Sequence, residues 1–152
     1  VKLAVPPLLP IASLACLLAA AAGSAVAQTP PPPSKHQIED NSSAQLLPKG
    51  AAEAIWRDNV PLARIARAYP AAKWGFLSQV EGGLVGGQVC VVTARAAMLP
   101  LTMPTRRLVW EPRYMSTTFD TKAGATAQQC SELAAAKLKE AIQSLATNLV
   151  KT

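Results

Sequence analysis

Few side chains in this 152-residue sequence are equipped for chemistry: Cys16, Cys90 and Cys130, the lone His36, scattered carboxylates, and a run of arginines among aromatics near Trp110. The only histidine, His36, lies in the expected leader, so no histidine-based triad, His-rich zinc site or HExxH helix is read. Asp58, Glu81, Glu111 and Asp120 stand alone, in no motif that pairs a general acid with a base. Gly82-Gly83 and Gly86-Gly87 lack the lysine and hydroxyl of a phosphate loop. No catalytic residue, metal ligand or cofactor is assigned on this evidence, and an enzyme with an unrecognised site stands only as a third alternative.

Cys90 and Cys130 are too far apart in sequence for a CxxC redox pair, which leaves a structural disulfide as their expected use. The other chemically rich stretch is Arg106-Arg107, Trp110 and Arg113-Tyr114. If the chain bulges at Pro112, guanidinium and aromatic groups share one patch, able to bind a carboxylate, a phosphate or a sugar acid. The competing expectation is an edge strand charged to resist stray pairing.

These groups need elements to hold them, and the first element is one for export. Lys2 begins a segment that is otherwise uncharged and apolar from Leu3 to Ala22, ending in Gly23-Ser24-Ala25-Val26-Ala27. Small residues at 25 and 27 suit signal peptidase, so residues 1–27 are expected to be a cleavable signal peptide. The stretch from Ile11 to Ala22 is about 12 residues, short of the roughly 20 that a spanning helix needs, so no retained transmembrane helix is expected. Lipid attachment at Cys16 is the alternative, disfavoured by Ser13 three residues before it, where such sites favour leucine. Val1 fits a GTG start, and the Ala-, Pro- and Arg-leaning composition fits a GC-rich bacterial genome. A periplasmic or secreted protein of the bacterial envelope is the expected setting, with nucleic acid excluded as a target.

Of the charged residues only Lys2 lies in the signal, so the remainder carries 14 Lys and Arg against 9 Asp and Glu. That excess allows an anionic ligand or surface without requiring one. Residues 28–43, with Pro30 to Pro33, read as a proline-rich disordered leader containing His36. Residues 44–152 are long enough for a single domain and too short for two.

Within that domain Ala51 to Asp58 is helix-prone, Pro61 restarts a second turn, and Leu62, Ile65, Ala66 and Tyr69 give it an apolar face. From Trp74 the period becomes two. Gly82-Gly83 is expected as the hairpin turn and Gly86-Gly87 as a bulge, with strand resuming from Leu84 to Ala94. Both faces are apolar around Val89 to Val92, which predicts a central strand covered on both sides. Residues 96–104 read as a connection, and strands are expected again at 106–110 and 113–119, the last an edge strand because of Pro112. Thr126 and Gln129 form a capping box for a C-terminal helix whose stripe is Ala134, Leu138, Ala141, Ile142, Leu145 and Leu149. The fold class is therefore α+β: a small antiparallel sheet of three or four strands packed against a C-terminal helix, with a short N-terminal helical segment. That segment covers the other sheet face or an edge.

A proline-rich leader, then Tyr69-Pro70-Ala71-Ala72-Lys73, then Glu81-Gly82 before a valine-rich strand is similar to the start of the periplasmic TonB C-terminal domain. The similarity covers residues 69–92 and implies partner binding by strand addition. The sequence departs from that family in ending on a long helix where a final strand belongs. The expected function is a noncatalytic domain binding an envelope or secreted protein. The alternative is an anion- or glycan-binding module using Arg106, Arg107, Trp110, Arg113 and Tyr114.

Expressed with its leader in a bacterium, the protein should be recovered outside the cytoplasm beginning at Gln28. N-terminal sequencing that finds Val1 or formyl-Met on most exported molecules contradicts this.

Overall fold

The computed structural model describes residues 35–151. In chain order it contains β1 (Ile38–Asp40), α1 (Ala51–Asn59), α2 (Leu62–Ala68), β2 (Trp74–Val85), β3 (Val89–Pro100), β4 (Tyr114–Ala123) and α3 (Ala127–Val150). The four strands form one sheet in the order β1-β2-β3-β4, antiparallel except for the parallel β1–β2 pair. The fold is α+β, with α3 and the N-terminal helices packed against this small mixed sheet.

Alternation along the strands decides which side is core. Even-numbered residues Phe76, Ser78 and Val80 of β2 sit opposite Met98, Ala96 and Ala94 of β3, and all are buried. On this face lies the buried stripe of α3: Ala134, Leu138, Ala141, Ile142, Leu145 and Leu149. The helix begins at the capping box. Gln129 N–H donates to Thr126 Oγ1 at 3.2 Å, and Thr126 N–H to Gln129 Oε1 at 3.1 Å. Four turns of the sequence's best periodic pattern therefore start where the chain supplies its own donors with acceptors.

Cys130 lies one turn into α3 and Cys90 one residue into β3. The two form a disulfide with Cα atoms 5.5 Å apart, closing a sequence separation of 40. Cys90 Sγ belongs to the even face, so the bond clamps the start of α3 onto the sheet.

The 51–69 segment packs on the α3 side, not on the opposite face. Trp56 and Ile65 join the same core, with the Trp56 ring 4.6 Å from that of Phe76. Trp56 Nε1 donates to Ser78 Oγ at 2.7 Å, which satisfies the one polar side chain buried fully in the sheet.

Several local expectations change. The two Gly-Gly pairs exchange roles: Gly86 and Gly87, at φ 59° and 72°, make the hairpin turn, while Gly82 and Gly83 lie inside β2. At Gly82 a Cβ would stand 2.0 Å from the Val91 carbonyl oxygen, so only glycine fits beneath β3 there. Residues 96–100 continue β3 instead of starting a connection. Residues 106–110 are a loop, not a strand, with one bridge between Leu101 and Leu108. Prolines 100, 104 and 112 deprive that stretch of ladder donors, and Leu108 folds back over Leu77, Ala97 and Leu99.

Order also begins earlier than Ala44. Residues 35–43 belong to the fold, since Phe76 N–H donates to Gln37 O at 2.8 Å and Asn41 N–H to Ser78 O at 2.9 Å. Ile38 gives this stretch its apolar contact. His36, expected in a mobile leader, donates from Nε2 to Tyr69 O at 2.8 Å and packs 5.1 Å from the Phe76 ring. The expected signal peptide, Cys16 and Pro30 to Pro33 lie outside the described residues. Among the described residues no helix is long and apolar enough to cross a membrane.

Reducing the disulfide should lower unfolding free energy by about 2–4 kcal/mol, because a long loop regains freedom in the unfolded chain. Urea denaturation of oxidised and reduced protein measures this, and coincident midpoints would contradict it.

Candidate functional site

Tyr114 opens β4 on the even face, beside Met98, and Arg113 precedes it. The Arg113 guanidinium carbon stands 5.8 Å from the centre of the Tyr114 ring, a cation–π arrangement. Tyr114 is partly buried, with its hydroxyl 3.1 Å from that of Tyr69. Tyr69 in turn meets Trp74 edge-on at 5.9 Å. This pair is thus built into the rim of the core.

The other members of the expected patch go elsewhere. Arg106, at φ 52°, donates from Nη2 to the Ala71 carbonyl at 3.1 Å and ties the loop to the chain before β2. Arg107 is exposed, and its backbone is held by Thr102 through N–H to Oγ1 at 3.2 Å. Trp110 projects from the loop, 57% exposed. The structure brings Arg113 and Tyr114 together, while Arg106 serves a backbone carbonyl. The two largest clefts described, each about 480 Å³, are lined by other residues.

The odd face of the sheet is a larger feature, and here the expectation of two-sided cover fails. Leu108 shields one end of it, over Leu77, Ala97 and Leu99. Beyond that Val85 is 62% exposed, Val89 37% and Phe119 62%, and Met115, opposite Ala97 at the shielded end, is 50% exposed. β2, β3 and β4 all contribute, because their odd residues share this side.

A polar row crosses the middle. Arg95 Nη1 donates to Gln79 Oε1 at 3.0 Å, and Gln79 Nε2 donates to Glu81 Oε1 at 2.6 Å. Arg95 Nε is buried with no hydrogen-bond partner. Sequence reasoning named Arg106 and Arg113 but missed Arg95, Met115 and Phe119. The available signal was a mismatch: β3 is apolar on both sides, and the chain has apolar helix stripes for only one.

Two electrostatic shifts meet at the joint between β4 and α3. Lys137 Nζ lies 2.8 Å from Glu140 Oε2 and 3.1 Å from Asp120 Oδ2. The hydrogen bond from Lys137 holds the Asp120 carboxyl below its ordinary range, helped by Thr121 N–H at 2.8 Å. Lys137 is pushed up, first by its bond to Glu140 and then by Asp120. The site is open to solvent and screened. Among the described residues no group of three or more His, Cys, Asp and Glu is placed to hold a metal ion.

No family model matches the chain. No curated protein matches it either. Solved structures similar to it include a candidate lipoprotein from Caulobacter crescentus, 19% identical with a TM-score of 0.35, covering 75% of this chain and 90% of that one. A minor lipoprotein from Acinetobacter baumannii is 12% identical, with a TM-score of 0.34 over 79% of this chain and 91% of the other. A Xanthomonas campestris protein of the DUF330 family is 14% identical, with a TM-score of 0.30 over 80% of this chain and 86% of the other. At such scores these likenesses assign no function.

Asp120 should titrate below its ordinary value, and Lys137→Met should return it upward. Because the folded-state value is depressed, the Asp120–Lys137 contact supports the fold above the unfolded carboxyl's pKa and is lost as pH falls through the folded one. Carboxyl chemical shifts followed through an acid titration test this; a curve identical in K137M protein would contradict it.

Proposed function

We propose that this chain is a noncatalytic bacterial envelope or secreted domain that acts by binding another protein on the open face of its sheet. Two features support the setting: an export-type segment at residues 1–27 and a disulfide that an oxidising compartment maintains. The observation carrying the binding role is the solvent exposure of Phe119 near the middle of this face, with Val85 and Val89 exposed toward the hairpin end and Met115 toward the other. Phenylalanine and methionine are among the residue types enriched in interface centres.

Arg113 stacked on Tyr114 is the observation behind the second reading, an anion- or glycan-binding module. It is weaker, since Arg106 and Trp110 do not converge on that pair.

The two readings separate in one experiment. Tagged wild-type, Phe119→Asp and Arg113→Ala proteins are expressed in the native envelope, crosslinked and purified, and each copurifying protein is then titrated with the three forms. Phe119→Asp should weaken the interaction by about tenfold or more. It should leave thermal melting nearly unchanged, because the side chain is exposed. Arg113→Ala should bind as wild type. Loss with Arg113→Ala and retention with Phe119→Asp would replace this reading with the second.

A further inference from the structure

A cleft of about 480 Å³ separates β1 from the turn joining α1 to α2, on the side away from the open sheet face. Its floor is aliphatic: Ile38 from β1, Val60 between the helices, and Leu62 and Ala66 from α2. Its polar groups are basic: Lys35, His36 and Arg57. Among the described residues no acid, amide or hydroxyl side chain lines it.

That composition selects a chemistry. An aliphatic floor rewards a hydrocarbon occupant, and a lining whose polar side chains are all basic rewards an anionic head. The volume falls within the roughly 300–1,000 Å³ typical of small-molecule sites.

The site is also held in shape. His36 is fixed through Nε2 to Tyr69 O at 2.8 Å, and its ring is packed against Phe76. Val60 is buried and closes the α1 end, where its N–H donates to Trp56 O at 3.0 Å. Arg57 pairs with Glu53 one turn back on α1, but both side chains are about half exposed. Such a surface pair is weak, so an anion in the cleft competes for the guanidinium at little cost.

We propose that this cleft binds a single-chain amphiphile with a carboxylate or phosphate head, the head at Lys35 and Arg57 and the alkyl chain on Ile38, Val60, Leu62 and Ala66. The site is separate from the protein-docking face and independent of it.

The test is isothermal titration of the exported, disulfide-bonded chain with dodecanoate and with dodecyl phosphate, each below its micelle concentration. At least one should saturate a single site, and whichever binds tighter tells a fatty-acid source from a lipid-phosphate source. Acetate and inorganic phosphate should give no saturable heat. A Lys35→Gln/Arg57→Gln double variant should weaken binding by about tenfold or more. Ala63→Trp, at an exposed position on the lining, should block the cleft while thermal melting stays near wild type. Phe119→Asp should bind the amphiphile normally, which separates this result from the fate of the docking face. Saturable binding of neutral octyl glucoside with equal affinity would overturn the proposal. So would undiminished binding by Ala63→Trp, or no saturable heat from either anion.

Discussion

The structure depends on closing one face of β3. Cys90, Val92, Ala94, Ala96 and Met98 are buried there at every second position, and only a long apolar helix can cover so extended a row. α3 supplies that cover with one stripe, and the Cys90–Cys130 bond fixes where along the sheet the stripe begins. The small residues Ala94 and Ala96 let the helix approach closely in the middle, while larger groups fill the ends. Trp56 plugs the β1 side of the same layer, and its N–H meets the Ser78 hydroxyl that burial would otherwise leave unpaired. Without α3 the even face would keep only the cover that Trp56, Ile65 and their neighbours give its β1 side.

Spending every apolar helix surface on one side has a consequence for the other. α1 and α2 extend the α3 layer, so nothing in residues 35–151 beyond the 101–112 loop is positioned over the odd face. That loop reaches only the end near Leu77, Ala97 and Leu99. Met115 and Phe119 are therefore exposed by topology, not by any special local conformation. Arg95 occupies the boundary between the covered end and the bare one, and half-burial there costs it one hydrogen bond.

Elements defined by local chemistry were legible in the sequence. The capping box of Thr126 and Gln129, the α3 stripe and the alternation from Trp74 each rest on neighbours within a turn or a strand. The pairing of Cys90 with Cys130 followed from counting cysteines once Cys16 was set in the export segment. What failed to read required knowledge of the third dimension. Ile38 looks isolated in a polar leader until β2 offers it a parallel edge. Arg106 and Arg113 look like partners until the prolines turn 101–112 into a loop and send Arg106 to the Ala71 carbonyl. Gly82 and Gly86 are indistinguishable as turn formers; only the nearness of the Val91 carbonyl shows which one must be glycine for want of space.

Parity connects the clamp to the docking face. In a strand a one-residue slip exchanges the two sides completely, and in β3 it would turn Thr93 and Arg95 into the core beneath α3. Near the hairpin the pattern discriminates less, since Val89 and Val91 would replace Cys90 and Val92 on the α3 side. Cys90 adds a covalent constraint at that end. Its sulfur must face Cys130, so every even residue of β3 is directed inward and every odd one outward. β4 inherits the choice through its pairing, which puts Phe119 opposite Thr93 and Met115 opposite Ala97. The same covalent bond that holds the helix therefore reinforces which side chains stand on the open face.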